Sequence, residues 1–193
     1  MESAHHDLVK RSQKYAEKYI EKHGSFAAIA KGQAPEILWI GCADSRVDPS
    51  EILGLGPGNI FVHRNVANQT VSTDPNFMAV IEYAVIHLKV KTVVVCGHTS
   101  CGGVCGSFGS YDKLEPNLQK FLVHVKNHCE EAKKDHADLS EDKILDKMFS
   151  LNAQRGVENI KGLDFVQEAI KSRNMQVLPM LFDLSTGNLS LVE

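Results

Sequence analysis

The sequence predicts an α/β protein built on a mainly parallel β-sheet flanked by helices, with a helical arm at its N-terminus. Short apolar runs, two of them ended by glycine, have the length and branching of strands that are buried on both faces. Helix-start signals lie between these runs. Strands that alternate with helices favour a parallel sheet, because parallel strands need long crossover connections.

The first half of the chain contains three predicted strands and two capped helices. Strands are predicted over 37–40, 60–62 and 92–96, helices are predicted to begin at Asp48-Pro49 and at Asp74-Pro75, and residues 1–35 are predicted to form an amphipathic helical arm. An aspartate followed by proline is a strong helix start. The carboxylate caps free backbone N–H groups, and proline suits the first helical position.

The second half of the chain is predicted to be mostly helical before a final strand. A glycine-rich turn is expected over 102–109, helices over 117–135 and 140–172, and a strand with a hairpin return over 176–192. Pro179 cannot donate to a strand ladder, so this strand is expected to be an edge or to carry a bulge. Because no linker or repeat interrupts the pattern, residues 1–193 are expected to form a single domain.

Composition excludes several classes of protein. The formal net charge is -3 over 193 residues and the lysines are scattered, so a nucleic-acid partner is not expected. No apolar run approaches the roughly 20 residues of a membrane span, and the first ten residues lack the apolar core of a secretory signal. We therefore expect a cytoplasmic protein without a membrane partner. Its five cysteines, an odd number, argue for metal binding, catalysis or burial rather than a disulfide framework.

Two short segments carry the chemistry. Cys42-Ala43-Asp44-Ser45-Arg46 follows the first predicted strand, and His98-Thr99-Ser100-Cys101 follows the third. The carboxyl ends of parallel strands lie at one edge of a sheet, so the two segments can face one another. Two thiolates and an imidazole are a typical ligand set for zinc. A His-x-x-Cys pair alone is weak evidence for metal binding, but a second cysteine at a matching strand end strengthens the prediction of a zinc site.

Three interpretations of these residues are open. The site is catalytic if Asp44 stays off the metal, structural if Cys42, Asp44, His98 and Cys101 are all ligands, and absent if the cysteines are only small residues at tight turns. Two thiolates and a neutral imidazole leave bound zinc formally neutral and able to acidify a water molecule. Arg46 can hold Asp44 off the metal through two parallel hydrogen bonds, which favours catalysis.

With these residues in place, the sequence resembles the β-class carbonic anhydrases. The hallmark of that family is Cys-x-Asp-x-Arg followed by His-x-x-Cys, and both motifs occur here in that order. The intervening segments Phe61–Asn68 and Glu82–Val85 are also similar to the family. The resemblance is dense from Ile37 to Gly103 and weaker over 152–170 and 183–189.

The resemblance implies a zinc lyase that reversibly hydrates carbon dioxide to bicarbonate and a proton by attack of a zinc-bound hydroxide. It implies permanent ligands at Cys42, His98 and Cys101, with Asp44 and Arg46 as a catalytic dyad. In some members the aspartate also binds zinc in a closed state, so Asp44 is a fourth candidate ligand. The family further implies a homodimer or dimer-based oligomer in which N-terminal helices wrap the partner subunit.

Two other functions and one regulatory site remain open. The same metal site is compatible with hydrolysis of carbonyl sulfide or carbon disulfide, and a non-catalytic zinc-stabilised binding protein is a further alternative. Trp39 and Arg64 match an inhibitory bicarbonate pocket of one subgroup, with Phe182 in place of its tyrosine, although Trp39 also suits core packing. The last predicted strand departs from the family at Leu178–Asp183, which leaves the pairing of dimers into tetramers open.

Overall fold

The computed structural model describes residues 4–193, which fall into two compact units. The first unit ends at Ala34 and the second spans Pro35–Glu193. In the first unit, α1 (Ala4–His23) and α2 (Ala27–Ala30) form the predicted helical arm, of which residues 1–3 lie outside the described residues. The organisation of 1–193 as a single domain, with residues 1–35 as its arm, stays a prediction.

The second unit is built on a five-stranded sheet. Its strands are β1 (Ile37–Cys42), β2 (Ile60–Asn65), β3 (Thr92–His98), β4 (Gln176–Asp183) and β5 (Asn188–Leu191), in the spatial order β2-β1-β3-β4-β5. The first four strands run parallel to their neighbours, and β5 returns antiparallel to β4. The predicted mainly parallel sheet is confirmed.

Helices connect the strands and pack against the sheet. They are α3 (Pro49–Leu53), α4 (Pro75–Glu82) with a π-helical continuation (Tyr83–His87), α5 (Gly102–Gly109), α6 (Pro116–Asp135), α7 (Glu141–Lys161) and α8 (Asp164–Arg173), with 3-10 turns at Val66–Asn68 and Tyr111–Lys113. Both predicted caps form, since Asp48 accepts from the N–H groups of Ser50 and Glu51, and Asp74 accepts from that of Asn76. Within residues 4–193, no helix combines the length and apolar character required to cross a membrane.

Alternate residues of the strands supply the two faces of the core. One face of β1 and β3 packs against α4, α7 and α8, through buried residues that include Leu38, Ile40, Val93, Val95, Ile81, Val157 and Val166. The other face contributes Trp39, Val94 and Cys96, which pack with Ile52 and Leu53 of α3. Helices therefore cover both faces, as the strand–helix alternation predicts.

The glycine-rich segment 102–109 is a helix, and the prediction of a turn was wrong. Glycine disfavours helices, but here the glycines permit close approach of α5 to its neighbours. A Cβ at Gly103 would lie 2.9 Å from the Cβ of Ala67, and one at Gly106 would lie 3.2 Å from the side chain of Leu114. Tertiary packing, with Val104 and Phe108 buried, therefore outweighs the local propensity.

Two further predictions in the second half need correction. The helix expected over 140–172 is divided into α7 and α8 at Gly162 and Leu163. The strand that contains Pro179 is an edge only over its first half, because β5 pairs with β4 from Met180 onward. The Pro179 carbonyl accepts from the N–H of Val192 (3.0 Å). Pro179 thus lies just beyond the last β4–β5 pair, Met180–Leu191, where its missing N–H does not interrupt the ladder.

The close approach of α7 to β3 yields a test of the packing. A Cβ at Gly156 of α7 would lie 2.8 Å from Cγ1 of the buried Val95. We expect Gly156→Ala to destabilise the protein by about 1–3 kcal/mol through overpacking, although alanine is the better helix former. Urea unfolding at a fixed metal content measures the change. Gly109→Ala is the control, because a Cβ at Gly109 would meet nothing within 4 Å. Equal midpoints for Gly156→Ala and the unsubstituted protein would contradict the prediction.

Candidate metal centre

The carboxyl ends of β1 and β3, with the short segment that follows β3, meet at one edge of the sheet. Cys42 is the last residue of β1, His98 is the last residue of β3, and Cys101 immediately precedes α5. All three side chains are buried, and their ligand atoms lie within 4.8 Å of one another. The structure thus brings together the three residues that the sequence predicts as permanent ligands.

The geometry of this cluster fits a tetrahedral metal ion. The sulfur atoms of Cys42 and Cys101 are 3.8 Å apart. Zinc–sulfur bonds of ~2.3 Å at a tetrahedral angle require about this separation. His98 lies with Nδ1 2.9 Å from the carbonyl oxygen of Thr99, which leaves the Nε2 lone pair for the cluster. Nε2 is buried and has no hydrogen-bond partner among the described residues, as expected of an atom whose partner is a metal.

The sulfurs of Cys42 and Cys101 are within hydrogen-bond distance of one another, and this contact shifts the pKa values of the two thiols in opposite directions. The pKa of Cys42 lies well below its ordinary value, chiefly because the Cys101 thiol hydrogen-bonds to it, with smaller contributions from His98 and from the N–H groups of Asp44 and Ala67. The pKa of Cys101 is raised, because the Cys42 sulfur beside it holds its proton and burial disfavours a second charge. A divalent cation would remove this conflict by displacing a thiol proton.

Asp44 lies beside the cluster and is held by Arg46. Arg46 donates through Nε to Oδ1 (2.9 Å) and through Nη2 to Oδ2 (2.7 Å), and its backbone N–H also donates to Oδ1 (2.9 Å). These bonds, above all those of the guanidinium, hold the pKa of Asp44 below its usual range. Asp44 Oδ2 is 4.0 Å from His98 Nε2, whereas two ligands of one tetrahedral zinc would be about 3.3 Å apart. The carboxylate is therefore adjacent to the cluster rather than part of it.

The start of α5 positions Cys101. Ser100 adopts a left-handed backbone conformation (φ 57°), which turns the chain sharply between His98 and Cys101. The backbone N–H groups of Gly103 and Val104, in the first turn of α5, act to lower the pKa of Cys101, although the Cys42 sulfur and burial outweigh them. Free N–H groups at a helix start favour negative charge, so this helix supports a thiolate. This contribution could not be predicted from the sequence, because the glycine-rich segment 102–109 is typical of a turn.

Arg64 has a supporting role that the sequence did not predict. Its guanidinium donates to the carbonyl oxygens of Cys42 (2.7 Å) and Asp44, and lies 3.7 Å from the carboxylate of Asp48. Trp39 is only 2% exposed and packs in one cluster with the partly buried Phe182. Arg64 therefore holds the backbone of the Cys42–Asp44 segment. An inhibitory bicarbonate site at Trp39, Arg64 and Phe182 stays a prediction.

Comparison with known proteins extends these observations. The sequence model of the carbonic anhydrase family matches residues 37–189. A carbonic anhydrase of Candida albicans is 36% identical to this chain, and the match covers 100% of this chain and 69% of the relative. A carbonic anhydrase of Emericella nidulans is 38% identical, and the match covers 84% of this chain and 71% of the relative. A β-carbonic anhydrase crystal structure from Aspergillus fumigatus superimposes with a TM-score of 0.92, at 36% identity, covering 99% of this chain and 91% of that one. A tetrameric β-carbonic anhydrase from Sordaria macrospora gives 0.87 at 37% identity, covering 97% and 95%. The chain therefore belongs to the β-class carbonic anhydrase family of enzymes.

Proposed function

We propose that this chain reversibly hydrates carbon dioxide to bicarbonate and a proton, with zinc held by Cys42, His98 and Cys101. One observation supports this most strongly. A buried cluster of two sulfurs and an unpartnered imidazole nitrogen lies next to a carboxylate whose two oxygens are both occupied by an arginine. Such a donor set suits zinc and leaves a fourth position open.

The three ligands set the charge of the proposed site. Zinc, when bound, would lower the pKa of a water molecule toward neutrality and so supply the nucleophile. Cys42 and Cys101, as thiolates, balance the two charges of the cation. His98 would bind the metal through Nε2 and donate Nδ1–H to the Thr99 carbonyl, a contact that also fixes the orientation of its ring.

Asp44 and Arg46 act as an orienting dyad in this proposal. The ionised carboxylate of Asp44 can only accept hydrogen bonds, so it accepts from the attacking oxygen and directs a lone pair of that oxygen at the carbon. Arg46 keeps Asp44 ionised and away from the ligand cluster. If Asp44 moved onto the metal as a fourth ligand, the site would become negative and lose the position for the nucleophile. Arg46 therefore favours the open, catalytic form.

The proposal includes a homodimer or dimer-based oligomer. Val62 on the edge strand β2, and Tyr83 and Ile86 on the π-helical turn, are 40%, 45% and 48% exposed in the single chain. Large exposed apolar side chains are common where a protein surface meets a partner. The relative from Sordaria macrospora is tetrameric. A cytoplasmic location, expected from the composition, is part of the same proposal.

The metal site is tested by Cys42→Ser. We expect the unsubstituted chain to retain one zinc per chain after dialysis and to hydrate carbon dioxide in stopped-flow assays. Cys42→Ser should lose both properties, because the site loses a thiolate ligand. Stripping the unsubstituted protein with a chelator should abolish activity, and zinc should restore it.

Cys105→Ser is the matched control for this prediction. Cys105 is half-buried and lies outside the ligand cluster, so its substitution should leave zinc content and activity unchanged. Full hydration activity in a zinc-free Cys42→Ser protein would contradict the proposed function.

The substrate is tested by comparing carbonyl sulfide with carbon dioxide in parallel assays. We expect carbonyl sulfide to be hydrolysed far more slowly than carbon dioxide is hydrated. The opposite order of rates would support carbonyl sulfide as the substrate.

Asp44→Asn separates the dyad from the metal site. The amide is nearly the same size but lacks the negative charge that accepts from the nucleophile. We expect Asp44→Asn to keep one zinc per chain and to lower kcat/KM for carbon dioxide by about 10²–10⁴-fold, the usual contribution of a positioned acid–base group. Undiminished activity at full zinc content would exclude a catalytic role for Asp44 and leave the zinc assignment intact.

A further inference from the structure

The His98 imidazole makes one hydrogen bond among the described residues. Its Nδ1 lies 2.9 Å from the carbonyl oxygen of Thr99, the next residue in the chain. A carbonyl oxygen can only accept, so Nδ1 carries the proton and Nε2 keeps its lone pair for the ligand cluster. The side chain is 1% exposed, and within residues 4–193 no hydrogen bond restrains it at Nε2. The direction of that lone pair therefore depends on where the Thr99 carbonyl lies.

Thr99 is held by the end of β4 and the residue that follows it. The β3–β4 ladder ends at the pair His98–Phe182, and the Thr99 N–H donates to the Phe182 carbonyl oxygen (3.0 Å). The N–H of Leu184 donates to Thr99 Oγ1 (3.0 Å), and this hydroxyl in turn donates to Oδ1 of Asp183 (3.4 Å). The backbone and the side chain of Thr99 are thus both bound to the same short segment.

Asp183 is itself fixed by the hairpin turn (184–187) between β4 and β5. Its Oδ1 accepts from the N–H and the hydroxyl of Ser185 (both 2.8 Å), and its Oδ2 accepts from the hydroxyl of Thr186 (3.1 Å). The N–H of Gly187 donates to the Asp183 carbonyl oxygen (2.8 Å) and closes the turn. An aspartate bound in this way to the residues after it is an acceptor of fixed position. The Thr99 hydroxyl therefore joins His98 to a rigid part of the hairpin.

The surroundings of the Thr99 hydroxyl favour a role in positioning over a role in the core. Thr99 is half-buried and lines an open cavity together with Arg46 and Asp183. A hydrogen bond that water can replace adds little to the stability of the fold, but it still selects one conformation of a β-branched side chain. Ser100, the next residue, has a left-handed backbone (φ 57°) that persists only where its neighbours hold it. The peptide that orients His98 thus lies between a tethered residue and a sharply turned one.

We propose that Thr99 is a positioning residue for the metal centre, whose hydroxyl ties the carbonyl that orients His98 to the hairpin turn. This inference rests on the proposed function, because it takes His98 as a zinc ligand. A group that directs a ligating imidazole affects how tightly the metal is bound, even though it does not touch the metal. The β4–β5 hairpin thereby contributes to a site whose three ligands lie outside both of its strands.

The experiment compares full-length Thr99→Val and Thr99→Ser with the unsubstituted protein. Valine keeps the branched shape and removes the hydroxyl, whereas serine keeps the hydroxyl and removes a methyl group. We expect Thr99→Val to lower zinc affinity about 10-fold, measured by competition with a chromophoric chelator. In the cobalt-substituted proteins, the visible ligand-field bands, which report the directions of the ligands, should shift in Thr99→Val. Thr99→Ser should match the unsubstituted protein in both measurements, because the hydroxyl remains.

Thr186→Val is the matched control. Thr186 donates through Oγ1 to Asp183 Oδ2 (3.1 Å), and the same atom accepts from the N–H of Asn188 (3.3 Å), so it holds the hairpin turn without a hydrogen bond to Thr99. The chemical change is the same as in Thr99→Val. Zinc affinity and the cobalt bands should stay unchanged, whatever the effect on the temperature of thermal unfolding. This outcome distinguishes positioning of His98 from stability of the turn.

Unchanged zinc affinity and unchanged cobalt bands in folded Thr99→Val would overturn the inference. Equal losses in Thr99→Ser or in Thr186→Val would overturn it as well, since neither substitution removes the Thr99 hydroxyl. If Thr99→Val fails to fold, Thr99→Ala, which leaves room for water beside the Leu184 N–H, provides the same two readouts. Failure of the proposed function has a different signature, in which the unsubstituted protein binds no zinc or Cys42→Ser binds zinc equally tightly.

Discussion

The parallel pairing of β1 with β3 is the contact on which the metal centre depends. Its register places Gly41 opposite Cys96, so Cys42 and His98 leave the sheet at the same edge, and Cys101 follows after one short turn. The result is two buried sulfur atoms 3.8 Å apart. Both cannot be charged without a cation nearby, because burial removes the water that would screen them. The proposed metal binding would thereby be coupled to formation of the sheet.

The carboxylate of Asp44 beside this site is held by Arg46, a residue at the protein surface. Asp44 is mostly buried, with 17% of its side chain exposed, whereas Arg46 is 54% exposed. An exposed guanidinium is hydrated and screened by salt, so its hold on a carboxylate is weaker than that of a buried partner. Arg46 therefore restrains Asp44 without immobilising it. A cation bound at the cluster, as proposed, would compete with Arg46 for this carboxylate.

The sequence predicted those parts of the fold whose signals are local. The aspartate–proline helix starts and the positions of the apolar strands were correct, because a cap or a buried strand is recognisable within a few residues. The predicted strand ends were wrong, since β1 and β3 continue through Gly41 and Gly97 to Cys42 and His98. The helix over 102–109 was missed, since its glycines serve contacts with residues distant in sequence, such as Ala67. The three clustered residues could be named from spacing and ligand chemistry. The hydrogen bond from Asn152 to the carbonyl oxygen of Ala67 could not be predicted, because the two residues are 85 positions apart in the sequence.

Helix α7 joins these distant contacts into one arrangement. Three positions on one face of α7 approach the sheet and the turn at Ala67. A Cβ on Gly97, the residue before His98, would lie 2.6 Å from the carbonyl oxygen of Phe149. Asn152 donates to the carbonyl oxygen of Ala67, and a Cβ on Gly156 would lie 2.8 Å from Val95. Residues three or four apart share a helix face, so one rigid element meets both sides of the centre. A shift of α7 would move the backbone next to His98 and the turn next to Cys42 together. The packing of α7 therefore supports both the end of β3 beside His98 and the turn at Ala67, in addition to the pairing of the strands.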